Sequence, residues 1–329
     1  MRPRLIPAVK LLIDARTTRG PWSIRVTNEG DLPVRLDADA RLLSLEISPR
    51  GARNPVLCEL PADMRPIDDS ERNLLLPPMR SYTETFEPRL YCFGDRLQAL
   101  APGAIVVGRL GWVRSGRDSN DGIRGRSPYV IAALDGIEPE VSGVSMIKSL
   151  PIAVPDEPTP AQTGPAPADD SAEGDGTPRL TLRGASVIDA ARPNEITIPI
   201  TLRNDGTRPV VLRFRPEALG FDVMGGATVE HCVWPGLHAA PMRELFTALA
   251  PSESASLTLV LEGYCHGHAF DQPGLVVVRP WLDTRAASGA ALGLHTFDGQ
   301  VIATTPTLVR LHRGAIARPN TRPVLDANP

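Results

Sequence analysis

The sequence predicts an all-β protein made of two copies of one β-sandwich. Three observations carry the prediction. Ile196, Ile198, Ile200 and Leu202 alternate with Thr197, Pro199, Thr201 and Arg203, the period-two pattern of a strand with one buried face. That run stops at the turn signal Asn204-Asp205-Gly206, and a second apolar run begins at Pro209-Val210. The same device, with the same spacing from Asn to Pro, stands at Asn28-Glu29-Gly30 and Pro33-Val34.

Length and composition agree with this reading. At 329 residues the chain is long enough for two domains of ordinary size. Its 34 prolines and 28 glycines favour turns and short strands over helices. A net charge of −3 gives no strong attraction to nucleic acid or to an anionic membrane. No stretch approaches the roughly 18 consecutive apolar residues of a membrane span. The N-terminus carries Arg2 and Arg4 without a long apolar core, so it reads as a first strand and not as a secretory leader.

Taken in order, residues 1–154 form the first domain. Its predicted strands are Val9 to Ala15, Trp22 to Thr27, Pro33 to Leu36, Leu42 to Ile47, Val56 to Cys58, Tyr82 to Phe86, Ile105 to Leu110, Tyr129 to Leu134 and Val144 to Ile147. A polar loop spans Ser115 to Ser127. Residues 155–178 hold six prolines, six acidic residues and no aromatic, Lys or Arg, the composition of a disordered linker. Extended, such a linker reaches on the order of 70 Å. Residues 179–313 form the second domain. Its predicted strands are Leu180 to Ile188, Ile196 to Arg203, Val210 to Phe214, Phe221 to Met224, Val229 to Trp234, Leu257 to Leu261, Leu275 to Arg279, Leu292 to Phe297 and Val301 to Leu311. Pro199 cannot donate to a ladder, so its strand is expected at an edge or bulged there. Ala239 to Leu249 reads as weakly helical, and residues 314–329 as a disordered tail.

Five landmarks recur in the same order. Beyond the Asn-x-Gly-x-x-Pro-Val device they are Cys58-x-x-Pro61 with Cys232-x-x-Pro235, and Leu76-Pro77-Pro78 with Leu249-Ala250-Pro251. Tyr91-Cys92-x-Gly94 then matches Tyr264-Cys265-x-Gly267, and Pro102-Gly103 matches Pro273-Gly274. The offset drifts only from 176 to 171 residues, which marks a duplication. About eight short strands per copy predict two tandem immunoglobulin-like (Greek-key) sandwiches joined by the Pro/acidic-rich linker.

The second copy resembles the intracellular proteinase inhibitor (BsuPI-type) domain. The residues are Asn204, Pro209, Val210 and Leu212, then Phe221-Asp222-Val223, Val233-Trp234 and Leu249-Ala250-Pro251-Ser252-Glu253. They cover about half of that copy, and the first copy keeps fewer of them. The cysteines depart from the pattern, and no Trp follows the Leu-Ala-Pro-Ser-Glu turn. The resemblance implies an immunoglobulin-like sandwich and, as one activity, protease inhibition, although fold does not fix function.

The four cysteines fall two to a copy, 34 and 33 residues apart. Two readings are open: disulfides Cys58–Cys92 and Cys232–Cys265, or two buried thiols per copy. Paired cysteines point to an oxidising compartment and the missing leader to the cytoplasm. All six histidines lie in the second copy, and His231, His238, His266 and His268 crowd its cysteines. With Asp271 they make a candidate zinc or copper site, since imidazole suits both ions and thiolate adds softness. The bland reading is loop histidines around a disulfide, with no cofactor at all.

No phosphate-cradling glycine loop, Gly-x-Ser-x-Gly elbow or His-Glu-x-x-His is present in the sequence. The glycines of Gly220 to Gly226 and Gly263 to Gly267 read as turn glycines. The acidic pairs Asp68-Asp69 and Asp169-Asp170 and the arginines between Arg114 and Arg126 read as solvated charge, and the four tryptophans as core. The function expected is therefore a non-catalytic binding or structural module whose partner is another protein or a larger assembly. Metal binding in the second copy and protease inhibition are the alternatives.

Overall fold

The structure, a computed structural model, describes residues 7–18, 20–66, 73–112, 130–133, 143–156, 178–226, 228–236, 242–285 and 289–313. The predicted linker and tail, the loop between Ser115 and Ser127, both acidic pairs and His238 fall wholly or mostly outside these residues. The chain divides into two compact units with the boundary between residues 168 and 169.

The first unit contains β1 (Val9–Asp14), β2 (Trp22–Asn28), β3 (Val34–Asp37), β4 (Leu43–Ser48), β5 (Val56–Glu59), β6 (Asn73–Leu76), β7 (Ser81–Phe86), β8 (Ile105–Gly111), β9 (Ile131–Ala133), β10 (Gly143–Val144), β11 (Met146–Lys148) and β12 (Ile152–Ala153). Its sheets run β1-β2-β7, β10-β9-β3-β6 and β11-β8-β4-β5, with β12 also on β8. The second unit contains β13 (Leu180–Gly184), β14 (Val187–Ala190), β15 (Thr197–Asn204), β16 (Val210–Leu212), β17 (Leu219–Gly225), β18 (Thr228–Val233), β19 (Thr247–Leu249), β20 (Ser254–Val260), β21 (Gly274–Asp283), β22 (Gln300–Ile302) and β23 (Thr307–Leu311). Its sheets run β13-β15-β20, β14-β23-β21-β17-β18 and β16-β19, with β22 also on β21.

The pairings repeat. β1-β2-β7 corresponds to β13-β15-β20, β3-β6 to β16-β19, and β8-β4-β5 to β21-β17-β18. In each unit the inner faces of the two main sheets share one core. Trp22, Ile24 and Val26 of β2 meet Leu45 and Ile47 of β4 and Val106 of β8. Ile198, Ile200 and Leu202 of β15 meet Phe221 and Val223 of β17 and Val278 of β21. In the second unit β13 pairs with β15 while β14 crosses to run parallel with β23. One initial segment shared between two facing sheets, with crossed connections, is the immunoglobulin-like arrangement.

The Asn landmark is a main-chain clamp. Asn204 is fully buried. Its Nδ2 donates to the carbonyls of Arg208 (2.8 Å) and Leu249 (3.0 Å), and its Oδ1 accepts from the Gly206 N–H (3.0 Å). Asn28 makes the same three bonds to Leu32, Leu76 and Gly30, at 2.8, 3.0 and 3.0 Å. The main chain at each Asn also bonds to the following turn, through Arg80 and Met79 in one unit and Glu253 and Ser252 in the other. Met79 and Ser252 both take positive φ, 58° and 66°.

The Tyr-Cys landmark is equally structural. The Tyr91 hydroxyl donates to the Ala40 carbonyl (2.7 Å) and the Tyr264 hydroxyl to that of Pro216 (2.9 Å). Burial, with the charge of Glu217, pushes the Tyr264 pKa up to about 12, so the phenol stays a donor. Burial and the charges of Glu84 and Asp39 push Tyr91 up as well. Beside them lie two disulfides, Cys58–Cys92 and Cys232–Cys265, which leave no free cysteine. Each fixes an outer strand, β5 or β18, to the connection leading into β8 or β21.

Several expectations need correction. Leu180 to Ile188 is two strands in different sheets, and Val301 to Leu311 is broken between β22 and β23 around Pro306. Leu292 to Phe297 is not a strand; its start closes a short 3-10 turn, and Gly293 ends that turn at φ 68°. The predicted helix ending at Leu249 is a 3-10 turn, Arg243–Leu245, followed by β19. Pro199 sits in a central strand. It is tolerated because the register of β13 ends at Gly184 opposite Ile200, so β13 needs no N–H from Pro199.

Candidate interaction face of the second unit

The outer face of the five-stranded sheet follows from strand alternation. Along β17, Leu219, Phe221 and Val223 are buried in the core, which leaves Gly220, Asp222 and Met224 on the other face. Along β21 the same rule turns Val277, Arg279 and Trp281 outward, and along β18 Val229, His231 and Val233. Residues paired across a ladder share a face, so the registers convert these positions into rows. One row runs Val187, Leu308, Val277, Met224, Val229 across all five strands. The next is Arg279, Asp222, His231, and the third is Ile302, Trp281, Gly220, Val233. Two apolar rows thus flank a polar one. Val229 is 73% exposed, and Met224, Val233 and Ile302 are exposed too.

Trp281 anchors the third row. Its ring stacks on His231 with centroids 4.9 Å apart and planes 7° from parallel. His231 Nδ1 is held by Asp222 at 2.7 Å. A Cβ at Gly220 would lie 2.1 Å from the Trp281 ring, so only glycine lets the indole cross β17. Gly220 is therefore a strand glycine and not a turn glycine. The indole is buried, yet its Nε1 has no hydrogen-bond partner among the described residues, although a buried Trp N–H usually finds one. Gly220→Ala is expected to lift the indole off His231 and destabilise the unit by about 1–3 kcal/mol. Tryptophan fluorescence and thermal unfolding read both effects.

The first unit places other chemistry at the same positions. Arg109, Ser44 and Glu59 stand where the second unit has Trp281, Gly220 and Val233. Arg109 pairs with Glu46, and Glu59 with Arg65 at 2.6 Å. On that face Leu57 of β5, Ile105 of β8 and Met146 of β11 are exposed apolar side chains. At the far side of the second unit's sheet, burial opposes the charge of Asp189. Hydrogen bonds from Arg310 (2.9 Å) and His312 (2.7 Å) outweigh it and hold the Asp189 carboxyl below its usual range.

Among the described residues the predicted metal ligands do not gather into one site, and His238 lies outside those residues. Cys232 and Cys265 are bonded to each other and offer no thiolate. His231 is taken up by Asp222 and Trp281, and exposed His266 lies in a loop. His268 meets Asp271 at 2.6 Å, a hydrogen bond that raises its pKa. Among the described residues no three His, Cys, Asp or Glu stand together as a cation site. The Trp281–His231 stack was not legible from the sequence, because its members lie 50 residues apart and the glycine that admits it resembled a turn.

No family model matches the chain, and no curated protein matches it. Solved structures do, and they are β-rich domains. The CARDB domain of the PF1109 protein in complex with di-metal ions, from Pyrococcus furiosus, is 14% identical with a TM-score of 0.19, covering 40% of this chain and 88% of that one. The CsuC–CsuE chaperone–tip adhesion subunit pre-assembly complex of Acinetobacter baumannii Csu pili is 10% identical with a TM-score of 0.19, covering 82% and 93%. A protein of unknown function from Porphyromonas gingivalis is 11% identical with a TM-score of 0.20, covering 92% and 98%. The strand pairings, and not these neighbours, carry the fold. No helix among the described residues is long and apolar enough to cross a membrane.

Proposed function

We propose that the protein is a non-catalytic protein-binding module and that its second unit binds through the outer face of the five-stranded sheet. The observation behind this reading is the pair of apolar rows, one of which, Ile302, Trp281, Gly220 and Val233, stands where the first unit carries Arg109, Ser44 and Glu59. Solvent-facing apolar side chains aligned over several strands form the kind of contiguous patch that marks an interaction surface. Arg279, exposed on the polar row between the two apolar rows, is a residue type enriched where binding energy concentrates. The polar row between the apolar ones sets orientation more than affinity.

Capture with the intact chain as bait tests the reading. Partners held by the wild-type chain are expected to be lost at least tenfold with Leu308→Asp, and kept with Leu57→Asp in the first unit. Equal capture by all three chains would refute it. Two other functions have their own tests. Elemental content of the purified chain tests metal binding, and a protease panel tests inhibition, which rests on the family resemblance alone.

A further inference from the structure

We propose that two copies of this chain associate edge to edge through β18, antiparallel, about a two-fold axis at His231. β18 is the last strand of its sheet and pairs with β17 alone among the described residues. An edge strand presents main-chain N–H and C=O groups ready to pair with another strand, and proteins ordinarily blunt such edges with Lys, Pro or a short length. β18 is six residues long and free of Lys and Pro, with Val229 73% and Val233 47% exposed. The corresponding β5 of the first unit is blunted: four residues between Pro55 and Pro61, with Glu59 paired to Arg65.

The register follows from the sequence of β18. Paired residues in an antiparallel ladder share a face, so a two-fold axis must fall on a residue and match like parity. An axis on Glu230 would set two carboxylates against each other. One on Cys232 would carry much of the contact past the end of the strand at Val233. The axis on His231 sets Val229 of each copy against Val233 of the other and uses nearly the whole strand. It also joins the outer rows. Leu308, Val277, Met224 and Val229 of one copy continue into Val233, Gly220 and Trp281 of the second. The polar row meets its own copy between them. Each of the two apolar rows would then run unbroken over nine strands, with a polar row between them.

A pair of six-residue strands buries less than the roughly 1,000 Å² of a stable interface, so the dimer is a concentration-dependent one. This goes beyond the face-binding reading and does not rest on it, because Leu308 is remote from the β18 seam. Leu308→Asp is expected to leave self-association intact.

Sedimentation equilibrium of the full chain over a range of concentrations is the test, with circular dichroism and thermal unfolding to confirm that each variant folds. A monomer–dimer equilibrium is expected, weakened at least tenfold by Val229→Lys and by Val233→Glu. The double variant V229K/V233E is expected to regain it, because Lys faces Glu across the seam in this register alone. Both sites are solvent-exposed, so folding tolerates the changes. A chain monomeric throughout, or a double variant no tighter than the singles, would overturn the proposal.

Discussion

Asn204→Ala is expected to destabilise the second unit by about 3–4 kcal/mol, the largest effect of any single substitution considered. Three main-chain groups depend on this side chain: the carbonyls of Arg208 and Leu249 and the N–H of Gly206. Each buried group left without a partner costs about 1–3 kcal/mol, and water reaches the turn at Gly206 and Arg208 more readily than Leu249. Asn204→Asp should be nearly as harmful. It keeps the acceptor but replaces the donating amide with a carboxylate facing two carbonyls. Asn28→Ala is expected to act alike on the first unit. Denaturant unfolding of the full chain, with each unit expected to give its own transition, checks the assignment. The transition of the unmutated unit should stay in place.

Removing the second disulfide is the other large effect. Cys232→Ser with Cys265→Ser is expected to cost about 3–4 kcal/mol, the loop-closure entropy released to the unfolded chain by opening a loop of this size. Because Cys232 belongs to the outermost strand, the loss should be local before it is global. Amides of β18 should exchange with solvent faster than those of β15 or β21, which lie inside their sheets. Hydrogen exchange with residue resolution separates this from uniform weakening. Equal protection loss in β15 and β18 would show that the bridge holds the unit as a whole.

Much of the fold was legible because the relevant signals are local. Alternation from Ile196 to Leu202 identified a strand whose inner face is wholly buried, and the Asn-x-Gly device located the turn that its own side chain fastens. Cysteines at matching places left bridges or buried thiols open, and the structure has both bridges. What stayed hidden depends on neighbours distant in sequence. Nothing within Leu180 to Ile188 reveals that its two ends belong to opposite sheets. Thr247 to Leu249 becomes a strand only because β16 lies beside it. The interaction face was hidden for the same reason: Val187, Leu308, Val277, Met224 and Val229 form a row only once four registers are known. Gly220 misled because a strand glycine and a turn glycine are identical until the Trp281 ring is placed over one of them.

Asn28 and Asn204 grip main-chain atoms only, and every residue but proline supplies the same N–H and C=O. The fastening therefore makes no demand on the side chains displayed by the neighbouring strands, and those can change freely while the frame keeps its shape. A duplicated frame of this kind lets one half carry Arg109, Ser44 and Glu59 where the other carries Trp281, Gly220 and Val233. By the same logic, grafting Trp, Gly and Val onto positions 109, 44 and 59 would build the Trp281 row on the first unit without redesigning the scaffold beneath it.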